Sequence, residues 1–324
     1  MSRKLLILCL VAAFLLVLVP FLGIIPVGWA DVLRESPGHF IFWSLRVPRT
    51  LVGFIAGASL ALAGLVCQNV FKNDLATPDL LGISSGAAAG TVIALKFKLR
   101  LAVLGMSGLH VFSFAGALSA VLLIFFIVRV VKNVSLYTFL MCGIAINFFF
   151  SSVIVFFQYV FDYADTFSLL RWMMGGIANA GYREAALLLV LLLLFLLFIL
   201  FFAREFQMLS AGDEFAAGRG LNVGRFRAFS FLVLAFFIGA VVSVCGPIGF
   251  IALVVPHVSR LWGGNRFQAT VAITFLLGGC LLVSADLLAR SLVPPLDIPV
   301  GIVTSMFGAP FFLLLLLAQL RKAG

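Results

Sequence analysis

The sequence contains few charged residues: Asp, Glu, Lys and Arg make up 10% of its 324 residues, whereas 64% are hydrophobic. A soluble globular domain is closer to half apolar and a quarter charged. The composition therefore places the chain in a lipid bilayer. Long apolar runs replace the missing charge, and about 20 apolar helical residues are enough to cross the roughly 30 Å hydrocarbon core of a membrane.

Several catalytic motifs are also missing. No lysine follows a glycine, so the chain cannot bind ATP through a Walker A loop. The His-Glu-x-x-His and Gly-x-Ser-x-Gly motifs do not occur either, which argues against an intramembrane enzyme. The five cysteines are scattered within apolar runs and form no Cys-x-x-Cys pair. We therefore expect no catalytic residue, no metal site and no cofactor.

Charges are scarce at the middle of the apolar runs as well. All twelve acidic residues map to loops or to the ends of runs, and Asp286 is the nearest exception. His257 is the one histidine that we place within a run. Carriers that are driven by ions or protons usually keep such groups near the membrane midplane, at a cost of about 2.5–3.5 kcal/mol per charge. A pump built from this chain would therefore need energy from another chain.

The apolar runs are continuous rather than alternating, which favours helices over a β-barrel. We predict an all-α polytopic membrane protein with a single domain, residues 1–324, and ten transmembrane helices. The first run is longer than the 7–15 residues typical of a signal peptide, so we expect it to stay in the membrane. The ten runs are residues 5–27, 50–70, 78–95, 109–131, 136–160, 184–203, 228–246, 248–263, 268–288 and 299–320.

The distribution of Lys and Arg modestly favours an orientation with both termini in the cytoplasm. Lys96, Lys98 and Arg100 then lie outside, against the rule, as do three arginines discussed below. The net charge of +10 fits this topology and contact with lipid headgroups, and it does not indicate nucleic-acid binding.

The polar segment 204–227 would lie on the cytoplasmic face. Ser210 or Asp213 can cap a short helix there, acidic residues occupy its first turn, and Gly218 or Gly220 can end it. Such a helix suits the binding of a soluble partner. The alternative interpretation is an ordinary ordered loop.

Small and polar residues follow helical spacing in other runs. Gly57, Gly64 and their neighbours in the second run predict close helix packing, as does a similar series in the third. Asn147, Ser151 and Gln158 fall within about 40° of one another on a helix. This polar stripe faces either another helix or a water-filled pathway, and the sequence leaves both open.

Five motifs occur in order along the chain: Arg46-Val47-Pro48-Arg49, the stretch 68–87, the stretch 209–221, the stretch 246–257 and the segments 285–290 with 299–312. By these motifs the chain resembles the FecCD-like permease subunits of type II ABC importers, which carry iron chelates, haem and cobalamin. Asp74 and Asp297 depart from the proline and glutamate that are common at those positions.

The resemblance implies the type II permease fold and a set of partners. Two permease copies would pair as a homodimer in the cell (inner) membrane, on two ATP-binding subunits. A periplasmic or lipid-anchored binding protein would deliver a metal chelate, with an iron-siderophore first and haem or cobalamin as alternatives. ATP hydrolysis would belong to the separate subunits.

The resemblance also assigns roles to residues. It places binding-protein docking at Arg46, Arg49 and Arg290, for which contact with lipid headgroups is the alternative. It places ATPase coupling at Leu209, Gly212, Asp213, Glu214, Ala217, Arg219 and Leu221. It places the gate at Ser84, Ser85, Ser135, Leu136 and Tyr137. The polar stripe, together with a small and weakly polar face in the tenth run, places the pathway at Asn147, Ser151, Gln158, Thr304 and Ser305.

Two other classes of function remain as alternatives. An ion-coupled secondary transporter would need a titratable or cation-coordinating site at a broken helix near the midplane, and the sequence offers no convincing one. A scaffold or channel without a transport cycle would leave the segment 209–221 without a function.

Overall fold

The computed structural model describes residues 2–33, 36–99, 106–130, 136–177, 180–263 and 266–323, and no β-strand occurs among them. Short 3-10 turns at Val19–Phe21 and Pro78–Leu81 and a π-helical turn at Ile41–Arg46 join some of the helices. The helices are α1 (Ser2–Leu18), α2 (Trp29–Leu33), α3 (Pro37–Phe40), α4 (Val47–Phe71), α5 (Ile83–Lys96), α6 (Gly108–Val130), α7 (Leu136–Val160), α8 (Tyr163–Met173), α9 (Tyr182–Phe201), α10 (Ala203–Ala211), α11 (Asp213–Gly218), α12 (Val223–Cys245), α13 (Ile251–Gly263), α14 (Phe267–Ser291) and α15 (Val300–Ala323).

The all-helical membrane fold predicted from the apolar runs is confirmed. Seven helical stretches of the described residues are long and apolar enough to cross a membrane. The apolar parts of α5 and α15 are shorter, and α13 has 13 residues. The count of ten spans therefore remains a prediction.

The runs 228–246 and 248–263, predicted as separate helices, are separate in the structure, since α12 ends at Cys245 and α13 begins at Ile251. Gly246 has a φ of 66°, in the left-handed region that favours glycine. A Cβ atom there would also overlap the carbonyl oxygen of Trp172. The break therefore lets the connection to α13 pass close to the end of α8.

Helix α4 forms the core of the bundle and is buried along almost its whole length. It packs against α14, α13, α12 and α9. Glycine makes the closest approaches possible, because a Cβ atom at Gly57 would overlap the Gly278 carbonyl and one at Gly64 would overlap the Ala252 carbonyl. The close packing predicted from small residues in this run is confirmed. The same holds for α5, where Gly86 meets Gly116 of α6.

The contacts of α4 define two ends of the bundle. The start of α4 lies beside the end of α14, where Arg49 meets Asp286; we call this the Arg49 end. The opposite end of α4 lies beside α11, where Lys72 meets Asp213; we call this the Asp213 end. Many apolar side chains on α1, α7 and α9 are exposed between the two ends, as expected for surfaces that face lipid or another membrane subunit.

Candidate functional site

The arginines predicted to dock a binding protein lie together at the Arg49 end. Arg49 donates to the carboxylate of Asp286 through Nε, at 3.1 and 3.0 Å, and through Nη2, at 2.7 Å. The same guanidinium reaches Asp297 at 2.9 Å through both Nη1 and Nη2. The Asp286 side chain is 3% exposed and that of Arg49 is 14% exposed. Arg49 therefore joins α4 to the end of α14 and to the connection before α15.

Arg46 and Arg290 also bind within the chain. Arg46 donates to the backbone carbonyls of Pro20, Phe21 and Ile25, at distances of 2.5–3.2 Å. Arg290 donates from Nη2 to the carbonyl of Val19 at 2.9 Å. Its Nε atom is buried without a hydrogen-bond partner, and it lies 3.9 Å from the Asp286 carboxylate. Both side chains thus hold the end of α1 against the bundle.

These contacts change the expectation that the three arginines offer exposed charges. All three are largely buried and have partners inside the chain. Docking stays a prediction, and in this conformation it would have to compete with the internal bonds. Asp286 was the acidic residue nearest to the interior of an apolar run, but its pairing with Arg49 was not predicted.

A cavity of about 360 Å³ lies beside Arg49 and Asp297. Arg171 of α8 lines it with an exposed guanidinium. Burial alone would raise the pKa of Asp297, but the hydrogen bonds and charge of Arg49, together with the charges of Arg171 and Arg290, hold that pKa below its ordinary value. Sequence reasoning did not single out Arg171.

The polar segment at the Asp213 end forms two helices rather than one. Helix α10 ends at Ala211 and α11 begins at Asp213, with a break at Gly212, whose φ is 140°. The predicted cap by Ser210 or Asp213 is wrong, because no side chain caps α11 and the Ser210 hydroxyl donates to the carbonyl of Gln207. The acidic first turn and the end of the helix at Gly218 are confirmed.

The residues predicted for ATPase coupling divide between two faces. Leu209 is buried in the bundle, and the carboxylate of Asp213 receives Lys72 at 2.6 Å and Arg227 at 2.9 Å. Glu214, Ala217 and Arg219 are exposed, while Gly212 and Leu221 are intermediate. The Arg219 guanidinium lies over the ring of Phe215, 5.0 Å from its centroid. The exposed face is therefore a small patch with an aromatic ring and charges of both signs.

A cavity of about 650 Å³ gathers half of the predicted pathway residues. Its lining includes Ser84, Ser85, Asn147, Ser151 and Ser305. Asn147 is held in place by two hydrogen bonds. Its amide donates to the carbonyl of Asp79 at 3.1 Å and accepts from the Ser85 hydroxyl at 2.7 Å. These bonds join α7 to α5 and to the preceding 3-10 turn.

Asp79 was missed by the sequence reasoning. Its carboxylate lines the same cavity and accepts a hydrogen bond from the Ser84 hydroxyl. Asp79 belongs to a run of polar residues that the sequence showed clearly, but nothing in the pattern indicated which of them faces a cavity.

Other predicted pathway residues lie apart from this cavity. Gln158 belongs to the same stripe on α7 but is absent from the lining. Thr304 is buried, donates to the carbonyl of Gly301 at 3.1 Å, and borders a separate apolar cavity. Ser135 lies outside the described residues. Helix α7 starts at Leu136, and the described side chains of α7 begin after Tyr137.

Comparison with known protein families and curated proteins gives concordant matches. A family model described as the FecCD transport family matches residues 7–318. The chain is 36% identical over 293 residues to the hemin transport system permease protein HmuU of Yersinia pestis, covering 90% of this chain and 87% of that protein. It is 32% identical over 305 residues to the Fe(3+) dicitrate transport system permease protein FecD of Escherichia coli, covering 91% and 92%.

The fold matches a solved structure over nearly its full length. That structure is described as an inward-facing conformation of a proposed metal-chelate type ABC transporter. The TM-score is 0.88 with 26% sequence identity, and the match covers 98% of this chain and all of the other. The arrangement of helices and the sequence motifs thus agree along the same residues.

Proposed function

The chain belongs to the FecCD transport family, and we propose a ferric chelate as the cargo that it carries across the cell membrane. It is the membrane-spanning permease subunit of an ABC importer. The observation that supports this cargo best is the full-length similarity to permeases named for iron complexes, one for Fe(3+) dicitrate and one for hemin. A siderophore is the first candidate within this class.

The cavity around Asn147 supports a bulky and weakly held cargo. Its volume of about 650 Å³ is in the range of small-molecule sites. Hydroxyl and amide groups dominate its polar lining, with Asp79 as its carboxylate. Such a surface offers hydrogen bonds to a cargo without enclosing it in a specific binding site. We therefore expect the delivery protein to supply most of the selectivity for the cargo.

We further propose the partners of this subunit. Two copies of the permease pair as a homodimer and bind two ATP-binding subunits, which hydrolyse ATP. The exposed patch at Glu214, Phe215 and Arg219 supports a contact with the ATP-binding subunit, because it lies on a short helix at the Asp213 end and is open to solvent. The Asp213 end and both termini then face the cytoplasm.

The Arg49 end then faces the delivery protein, which is periplasmic or lipid-anchored. On docking, carboxylates of that protein would replace Asp286 and Asp297 as the partners of the Arg49 guanidinium. Charges across an interface set the approach and register of the partners more than their affinity. Docking at Arg46, Arg49 and Arg290 would first have to displace the bonds that these side chains make within the chain.

Haem is the second candidate cargo, and the 36% identity to the hemin permease favours it. The test is uptake by proteoliposomes that contain the permease, its ATP-binding subunits and the delivery protein encoded with it. Ferric hydroxamate, ferric citrate and haemin are each supplied with radiolabelled iron. We expect ATP-dependent uptake of one ferric chelate. Uptake of haemin alone would favour the second candidate, and uptake of none would contradict the proposed cargo class.

A further inference from the structure

Asp213 is the residue through which the short helix α11 is bound to the bundle. One oxygen of its carboxylate, Oδ1, lies 2.6 Å from Lys72 Nζ and 2.9 Å from Arg227 Nη2. Lys72 is the residue that follows α4, and Arg227 lies in the first turns of α12. A single carboxylate thus connects α11 with two of the central helices.

The end of α4 is shaped for this contact. Lys72 has a φ of 49°, in the left-handed region where glycine is the usual residue at the end of a helix. A lysine is less stable than a glycine in this backbone conformation. Such strain is often found at functional positions, and here the lysine side chain supplies the ion pair with Asp213. Arg227 strengthens the same junction, because its Nε atom donates to the carbonyl of Val70 at 2.9 Å.

Other attachments of α11 are few. Gly212 precedes the helix with a φ of 140°, and Gly220 follows it with a φ of 86°. These backbone conformations are open mainly to glycine. Within the helix, Ala216 is the buried side chain. Without the contacts of Asp213, α11 would be held by two glycine-containing turns and by the packing of the buried Ala216.

Helix α4, in contrast, is firmly fixed along the turns that precede Lys72. Gln68 donates to the carbonyls of Ala252 and Leu253, at 3.4 and 3.3 Å, and accepts from Arg260 at 2.7 Å. Close glycine contacts hold the rest of α4 against α13 and α14. A displacement that reaches Lys72 therefore acts on the core of the bundle.

The two faces of α11 carry different groups. Asp213 faces Lys72 and Arg227, whereas the ring of Phe215 is 46% exposed beside the exposed Glu214 and Arg219. We propose that Lys72 and Arg227 are positioning residues for energy coupling: through Asp213 they fix α11 to α4, so that movement of the exposed face of α11 moves α4. This inference rests on the proposed contact between α11 and an ATP-binding subunit.

Partial exposure makes the proposal testable without unfolding the protein. The side chains of Lys72, Asp213 and Arg227 are 33%, 44% and 20% exposed. Ion pairs at such positions add little to stability. Their loss should therefore alter the coupling of uptake to ATP hydrolysis more than it alters folding.

The experiment measures uptake per ATP hydrolysed in proteoliposomes that contain the complete importer. We expect Lys72→Asp and Asp213→Lys each to lower this ratio about tenfold. The double variant K72D/D213K restores the pair of residues 72 and 213 with reversed charges, but it leaves Arg227 beside a lysine. Its ratio should therefore rise above that of either single variant without reaching the wild-type value. Lys72→Arg is the matched control that keeps the charge, and its ratio should stay within twofold of the wild type.

Co-purification of the ATP-binding subunits separates this proposal from the proposed function. We expect K72D to retain the subunits and Phe215→Ala to lose them. Wild-type ratios in both single variants would overturn the proposal, as would a double variant that is no better coupled than either single variant although it folds and binds the subunits. If the wild-type permease itself failed to retain ATP-binding subunits, the proposed function would fail first.

Discussion

Arg49 and Asp286 are 237 residues apart in the sequence and share three hydrogen bonds of 2.7–3.1 Å between the start of α4 and the end of α14. Asp297 binds the same guanidinium from a more exposed position. One buried carboxylate and one partly exposed carboxylate thus neutralise an arginine that was predicted to face a partner protein.

Asp286→Asn should destabilise the protein, because it removes the buried negative charge between Arg49 and Arg290. The two positive charges would then lie close together with less compensation. Breaking a buried ion pair costs about 3–5 kcal/mol, and Asp297 offsets part of this, so we expect roughly 2–3 kcal/mol. Thermal unfolding in detergent measures the change. Asp297→Asn is the control, and its 34% exposed side chain should cost less than about 1 kcal/mol. Equal effects of the two variants would contradict this account.

Gly64→Ala should separate α4 from α13. A Cβ atom at this position would overlap the backbone of Ala252, which cannot rotate away. Overpacking of this kind typically costs about 1–3 kcal/mol, visible as a lower unfolding temperature and a lower yield of folded protein. Gly176→Ala is the control, because a Cβ atom there meets nothing within 4 Å. A G64A variant as stable as G176A would show that the helices do not approach as closely as described.

Asn147→Ala should reduce cargo uptake. The substitution removes the bonds to Asp79 and Ser85, and since each hydrogen bond is worth about 1 kcal/mol, we expect a loss of roughly tenfold or more. Gln158→Ala tests the same stripe on α7 outside the cavity and should keep uptake within twofold. If Gln158→Ala had the larger effect, the cavity would not be the pathway.

The pH dependence of coupling should show no titration of Asp213. Burial alone would raise its pKa, but hydrogen bonds from Lys72 and Arg227 and their charges hold that pKa below its ordinary value. A group with a lowered pKa contributes stability above its unfolded value of about 3.9 and loses it only as the pH falls through the folded value. Uptake per ATP hydrolysed is measured for the wild type and for Asp213→Asn. The quotient of the two values should therefore stay constant from about pH 8 to 5.5. Convergence of the two proteins at the lower pH would contradict the ion pair.

The sequence predicted the parts of the structure that depend on local pattern. Apolar runs predicted helices, including the separation of α12 from α13 between the runs 228–246 and 248–263. The spacing of Gly57 and Gly64 predicted close packing of α4. Each signal lies within one segment, where helical geometry relates neighbouring residues directly.

The sequence could not predict which distant residues meet. Nothing local relates Arg49 to Asp286 or Lys72 to Asp213, since their contacts depend on how whole helices pack. Asn147 and Gln158 share one stripe, yet only Asn147 lines the cavity, because the neighbouring helices decide where the cavity ends. For the same reason the arginines at the Arg49 end were expected to be exposed and are largely buried.

We propose that this permease depends on another chain for its energy, and uptake in proteoliposomes distinguishes this from transport driven by an ion gradient. Cargo uptake is followed in proteoliposomes that contain either the chain alone with a proton or sodium gradient, or the chain with its ATP-binding subunits, the delivery protein and ATP. We expect accumulation against a gradient only in the second case, and its loss when ATP hydrolysis is blocked. Accumulation by the chain alone, driven by the ion gradient, would show that the proposal is wrong.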